Sequence, residues 1–311
     1  MRVRECSPYY LRVGDLHDVR TNGKSQSMPQ PSPLLTARRR RLGVELRRLR
    51  ERADLSATQA AALVGATQSR VSNIEAGRYG VSADRVRTLA RHYDCTDEPL
   101  IEALAALTGE RRRGWWEEYR DMLSPRMLDL TEVEHHATTV RVAHIINIPG
   151  LLQTPDHARA LFSQTVPPLK PHEIEHRVSH RIKRQEILHR EQPPPYTAII
   201  HEAALRMRFG DRATVRGQLH HLNEVSELDH VTITVVPFHS GPFHTSGQGI
   251  DYFHGTVRQL DTVQLDTDHG AELIDSPAQL DRYRLILERV EQAALLPAKS
   301  RDFIAQLAQD L

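Results

Sequence analysis

The chain has 311 residues, of which 39% are hydrophobic and 26% charged, and 41 basic against 40 acidic side chains leave a net charge of +1. That length suits one large or two ordinary domains. No apolar run approaches the 18 residues of a membrane-spanning helix, and MRVRECSPYYLRVGDLHDVR lacks the apolar core of a signal peptide. Two cysteines, Cys6 and Cys95, are too few for a disulfide framework and fit a reducing cytoplasmic setting.

The small net charge hides a segregation. Residues 34–113 hold 16 Arg against 10 Asp and Glu, whereas residues 114–311 hold 20 basic against 27 acidic residues. A basic module ahead of an acidic one is the pattern of a nucleic-acid binder joined to a non-binding domain. Lysine occurs only four times, and this arginine bias, with abundant alanine, points to a GC-rich genome more than to a function.

Residues 1–33 lack periodicity and end in SQSMPQPSP, which predicts a disordered extension; translation could start at Met1 or Met28. From Thr36 the pattern is helical. Leu42, Leu46, Leu49 and Ala53 form one stripe. A second helix starts at Ser56, where Ser-Ala-Thr-Gln makes a capping box with Gln59, and Gly65 ends it. Thr67 caps a third helix with Val71 and Ile74 inward, and Gly77 ends that one. Ser82 caps a fourth, with Val86, Leu89 and Ala90 inside, and a fifth spans about 97–109. The expectation is an all-α five-helix domain over 34–113.

Helix, tight turn and a second helix polar on its outer face make a helix-turn-helix arrangement. The stretch LRRLRERADLSATQAAALVGATQSRVSNIEAG resembles the Cro/repressor (XRE) helix-turn-helix family. The resemblance implies a recognition helix starting at Thr67, with Gln68, Ser69 and Asn73 facing base edges and Thr67 and Arg70 nearer phosphates. Gln and Asn can pair bidentately with adenine. It also implies an ion pair of Arg50 with Glu75 that ties the first helix to the third. Two positions depart from the family: Ala57 replaces a phosphate-contacting Gln, and Asp54 replaces a Gly. The run Arg38, Arg39, Arg40, Arg41 is expected to touch backbone phosphates and to make good that missing contact.

Residues 114–311 predict a larger α+β domain for interaction or sensing. WWEEYRDML reads as a helix. TEVEHHATTVRVAHIINI starts helical and ends as a strand. Thr154 and Pro155 open another helix, and a charged helix covers 171–190. PPPYTAII and VTITVVP read as strands around helices near 202–209 and 213–228. GPFHTSGQGIDYF and TVRQLDTVQLDT give further strands and turns, and helices near 277–294 and 298–310 close the chain.

The 18 histidines, among them His135, His136, His220, His221, His239, His244, His254 and His269, show no metal-ligand spacing. GPFHTSGQG lacks the Gly-Lys-Ser/Thr of a phosphate loop. Glu117 and Glu118 point apart on a helix, and Cys95 has no patterned base. Neither a metal, nor a cofactor, nor an enzymatic site is expected.

The segments NIPGLLQTPDHARALF, RQEIL, IIHEAALRMRFGD and QLHHLNEV followed by VTITVVP resemble the C-terminal domain of WhiJ-like, antitoxin-like regulators of actinobacteria. That resemblance implies a transcription factor whose second domain binds a small acidic partner protein encoded nearby, or a ligand. The chain is expected to be a homodimeric regulator of double-stranded operator DNA. The alternative is an antitoxin-like member of a two-gene pair that neutralises its partner and regulates its own operon.

Overall fold

A computed structural model describes residues 35–108, 114–241, 243, 245, 247–267 and 270–311. The N-terminal extension, Cys6, His244, His269 and part of the GPFHTSGQG loop lie outside the described residues.

Five helices open the fold: α1 (Ala37–Arg52), α2 (Ala57–Leu63), α3 (Gln68–Glu75), α4 (Ala83–His92) and α5 (Glu98–Ala106). Each starts at an Asp, Ser or Thr whose side-chain oxygen accepts a backbone N–H of the first turn: Thr36, Ser56, Thr67, Ser82 and Asp97. These caps satisfy donors that helical geometry leaves orphaned. Leu42, Leu46, Leu49, Val71, Ile74, Val86, Leu89, Ile101 and Leu104 form their common core. Because isolated helices this short are marginal in water, the shared core must hold them.

The second part is α+β. Its helices are α6 (Pro125–His136), α7 (Pro155–Phe162), α8 (Pro171–Gln185), α9 (Glu202–Arg206), α10 (Arg212–Val225), α11 (Pro277–Gln292) and α12 (Pro297–Gln309). Its strands are β1 (Thr139–His144), β2 (Tyr196–His201), β3 (Val231–Val236), β4 (Ile250–His254), β5 (Thr262–Thr267) and β6 (Gly270–Ile274). They form one mixed sheet in the order β3-β2-β1-β4-β5-β6. The β3-β2-β1 half is parallel, and β1-β4-β5-β6 runs antiparallel. Both faces are covered. Val140, Val142, Ala198 and Ile200 pack with Leu219 and Leu222 of α10 and Ile304 of α12. Ala143, Ile199, Tyr252 and Val263 pack with Leu280, Leu287 and Val290 of α11.

Three elements differ from expectation. WWEEYRDML is only a 3-10 turn, Trp115–Tyr119. Its aromatic rings pack edge-on to one another, and Trp116 is buried against His135 and His136. Gly114 supplies no side-chain cap, so tertiary packing rather than helix propagation sets this segment. The 171–190 helix ends at Gln185 and tightens into a 3-10 turn through Leu188, shortly before the proline run 193–195. Strand β6 was not anticipated. It is an edge strand with little buried apolar surface, and so carries a weak hydrophobic pattern.

Residues 35–311 form a single compact unit, and a seam joins the five helices to the sheet-bearing part. The 3-10 turn Arg258–Leu260 sends Leu260 into the five-helix core. Gln259 donates to Asp97 at 2.8 Å.

Candidate nucleic-acid interface

The α2–α3 turn is built by two caps and a glycine. Ser56 Oγ accepts the Gln59 N–H at 3.2 Å, and Gln59 Oε1 accepts the Ser56 N–H at 2.8 Å. Gly65 has φ +59° with open space where a side chain would be, so it is the backbone conformation that calls for glycine. Thr67 Oγ1 then accepts the Arg70 N–H at 3.2 Å. With Val71 and Ile74 buried, α3 presents Thr67, Gln68, Ser69 and Arg70 to solvent, while Ser72 and Asn73 are half-buried.

The exposed polar groups are bonded only locally. Gln68 Nε2 donates to Ser72 Oγ at 2.8 Å, and Asn73 Nδ2 donates to the Ser69 carbonyl at 2.9 Å. Such i,i+4 contacts keep the side chains ordered yet leave them free to exchange partners. Asn73 also has a second use. Its Oδ1 accepts from Arg78 at 3.1 Å, and its carbonyl accepts the N–H groups of Arg78 and Tyr79. It therefore braces the loop after α3. That loop exposes Arg78 and Tyr79, residues missed by the sequence reading because they follow the helix rather than sit on it.

Helix α1 supports α3 at two points. At Gly43 a Cβ would lie 2.3 Å from the Glu75 carbonyl oxygen, so only glycine permits this crossing. Arg50 Nε and Nη2 donate to Glu75 Oε1 and Oε2 at 2.6 and 2.9 Å, and Nη1 donates to the Leu55 carbonyl at 2.6 Å. The hydrogen bonds to Glu75 hold the Arg50 guanidinium above its ordinary pKa although burial opposes this. Asp54 adopts φ +54°, taking the left-handed conformation that favours glycine. Ala57 occupies the first position of α2 and has no side-chain donor to offer a phosphate.

The run Arg38–Arg41 is placed differently from the expectation of a shared phosphate-binding surface. The Arg38 N–H donates to Glu132 Oε2 at 3.1 Å, and its guanidinium donates to the Ala106 carbonyl at 3.0 Å. Arg40 pairs with Asp129. Arg41 reaches Glu45 at 3.0 Å and the Asp261 carbonyl at 3.1 Å, and it also donates to the Gln259 carbonyl. Three of the four thus lie in the seam. Arg39 alone sits beside Gly80, in the loop that follows α3. Charge was legible from sequence; which carboxylates would meet it was not.

Residues 41–104 match the model of a helix-turn-helix domain, so the five-helix part is a helix-turn-helix module of the DNA-binding kind. Residues 127–306 match the model described as "Domain of unknown function (DUF5753)", a span of more than half the chain. The chain belongs to the DUF5753 family. No curated protein and no solved structure gave a match.

Within the DUF5753 domain, His254 lies 3.4 Å from Asp261, His144 bonds Asp251 at 2.9 Å, and His135 and His136 pack against Trp116 and each other. Among the described residues no group of three or more His, Cys, Asp or Glu converges as metal ligands would. Glu117 pairs with Arg120 and Glu118 with Lys183. Cys95, in the helix-turn-helix module, is half-buried against that module's core. No helix of the described residues is long and apolar enough to cross a membrane.

Proposed function

We propose that this chain is a sequence-specific transcriptional regulator of double-stranded operator DNA, with α3 entering the major groove. One observation carries the reading: α3 keeps its apolar residues buried and turns a contiguous face of Thr67, Gln68, Ser69 and Arg70 outward. Gln68 and Ser69 contact base edges, and Thr67 and Arg70 contact phosphates. Asn73 reads bases only from its bracing position, and Arg39, Arg78 and Tyr79 flank the helix toward the backbone. One such helix reads a half-site, so two copies act together on a palindrome. The acidic DUF5753 domain serves as the partner- or ligand-binding half, a reading supported by its resemblance to WhiJ-like regulators.

The test is sequencing of genomic fragments retained near physiological salt, with the double variant Gln68→Ala/Ser69→Ala as control. Both residues are exposed, so the fold is kept. A short palindromic motif is expected for the wild type. Specific affinity should fall by about 10- to 100-fold in the variant, as loss of base contacts implies, while the weak salt-dependent mode stays. Equal retention of random fragments by both proteins would sink the reading.

A further inference from the structure

We propose that the cavity beside the C-terminal end of β1 binds a small organic anion: a carboxylate- or phosphate-bearing molecule with an apolar body and a hydrogen-bond donor. The role of that anion as an effector rests on the regulator reading above; the site itself does not.

The cavity has a volume of about 700 Å³, within the range typical of small-molecule sites. It lies at the reversal of strand order. From β1 the chain passes to parallel β2 on one side, while antiparallel β4 occupies the other, so the cavity sits where the parallel and antiparallel halves of the sheet meet. Met127 and Leu130 of α6 and Phe162 of α7 supply apolar wall.

Two polar atoms in this wall, Arg181 Nε and Gln264 Oε1, lack hydrogen-bond partners. Arg181 donates through Nη1 to Gln153 Oε1 at 2.6 Å, and its guanidinium lies 4.6 Å from the centre of the Phe162 ring. Its Nε is buried with no hydrogen-bond partner, and no carboxylate of the described residues comes within ion-pair distance. Burial, and then the neighbouring Arg184, lower its pKa to about 10, which leaves it charged at neutral pH. Gln264, 1% exposed, has an unpartnered Oε1. Arg181 as a whole is half-buried, but an enclosed N–H without a partner is costly, and an unsatisfied acceptor adds to that cost.

Arg126, Arg177 and Arg184 also line the cavity, against the carboxylates Asp251 and Asp266, so its wall is net positive. Arg184 is held by Glu134 through two bonds of 2.8 Å. Asp251 holds His144, and Asp266 accepts from Gln264. What the wall lacks is an anion for Arg181 and a donor for Gln264.

The test uses 4-hydroxybenzoate, octanoate and phenyl phosphate as probes and neutral 4-hydroxybenzamide as control, read by calorimetry and thermal denaturation of the full chain. At least one anion should bind with a submillimolar Kd and raise the melting temperature, with the amide at least tenfold weaker. Whether a carboxylate or the phosphate wins identifies the head group. Arg181→Met should lose at least tenfold in affinity and, without ligand, melt no lower than wild type. If it does not fold, Gln264→Met reads the same wall: weakened 4-hydroxybenzoate binding supports the site, and unchanged binding overturns it. Failure of all three anions, equal binding of the amide, or wild-type affinity in Arg181→Met would also overturn the proposal. Anion binding without specific DNA retention would keep the site and remove the regulator reading; specific retention without anion binding would do the reverse.

Discussion

Arg50 is buried and Arg181 half-buried, and their surroundings are opposite. In the helix-turn-helix module the guanidinium of Arg50 meets Glu75 twice and the Leu55 carbonyl once. In the DUF5753 cavity that of Arg181 has one neutral partner. The first arrangement is complete in the chain by itself and serves structure. The second leaves donor capacity unused, which natural interiors rarely do without cause.

The sharpest way to break that comparison is to apply one substitution to both residues. Arg50→Met leaves Glu75 uncompensated where its side chain is only 8% exposed. Loss of one partner from a buried pair costs about 3 kcal/mol or more, so urea denaturation should show a clear drop in stability and specific DNA binding should fall with it. If Arg50→Met is no more damaging than Arg181→Met, the contrast between a structural and a ligand-facing arginine is void.

Gly43→Ala sharpens the same point from the packing side. The added methyl would meet backbone, not a flexible side chain. Overpacking costs about 1–3 kcal/mol, against which alanine's better helix propensity returns about 1 kcal/mol. Because the clash is with backbone, the upper half of that range applies, and a net loss of about 1–2 kcal/mol should appear by the same assay. Stability equal to or above wild type would show that α1 and α3 can separate without cost.

The smallest effect is one of pH and belongs to the sheet-bearing half. His157 is buried, its ring nitrogens have no partners, and burial followed by Arg181 lowers its pKa to about 4. His180 is lowered to about 3 by burial and then by Arg184. In the unfolded chain both titrate near pH 6.5. Stability is therefore full above that value and falls as pH drops toward the folded-state values, because the unfolded chain takes up protons first. His157→Leu should remove about 1–2 kcal/mol of the loss between pH 7.5 and pH 5. An unchanged pH slope would mean that the ring is protonated in place.

Much of the helix-turn-helix module was legible in sequence because its signals are local. Ser56 and Gln59 are three residues apart, Gly65 and Thr67 two, and the apolar stripes repeat within single helices. The cavity gave no such signal. Gln153, Arg181 and Gln264 come from separate elements, and the β1–β4 and β4–β5 pairings with the packing of α8 bring their region together. The arginine run falls between these cases. Its charge was plain, but Asp129, Glu132 and Asp261 stand far along the chain, so the commitment of Arg38, Arg40 and Arg41 to the seam could not be read.

Helix α1 is gripped by the DUF5753 half through Arg41 and Arg48, the latter on Asp275, and it grips α3 through Gly43 and Arg50. These four residues lie on one unbroken helix of 16 residues, about 24 Å long at the standard rise. The two sets of contacts alternate along α1, so the helix acts as a splint that fixes α3 to the DUF5753 half. Under the proposed reading, the placement of two DUF5753 domains in a pair of chains therefore sets the spacing of their α3 helices. An altered half-site spacing would then be met by changing the DUF5753 surface or the seam, with the sequence of α3 left as it is.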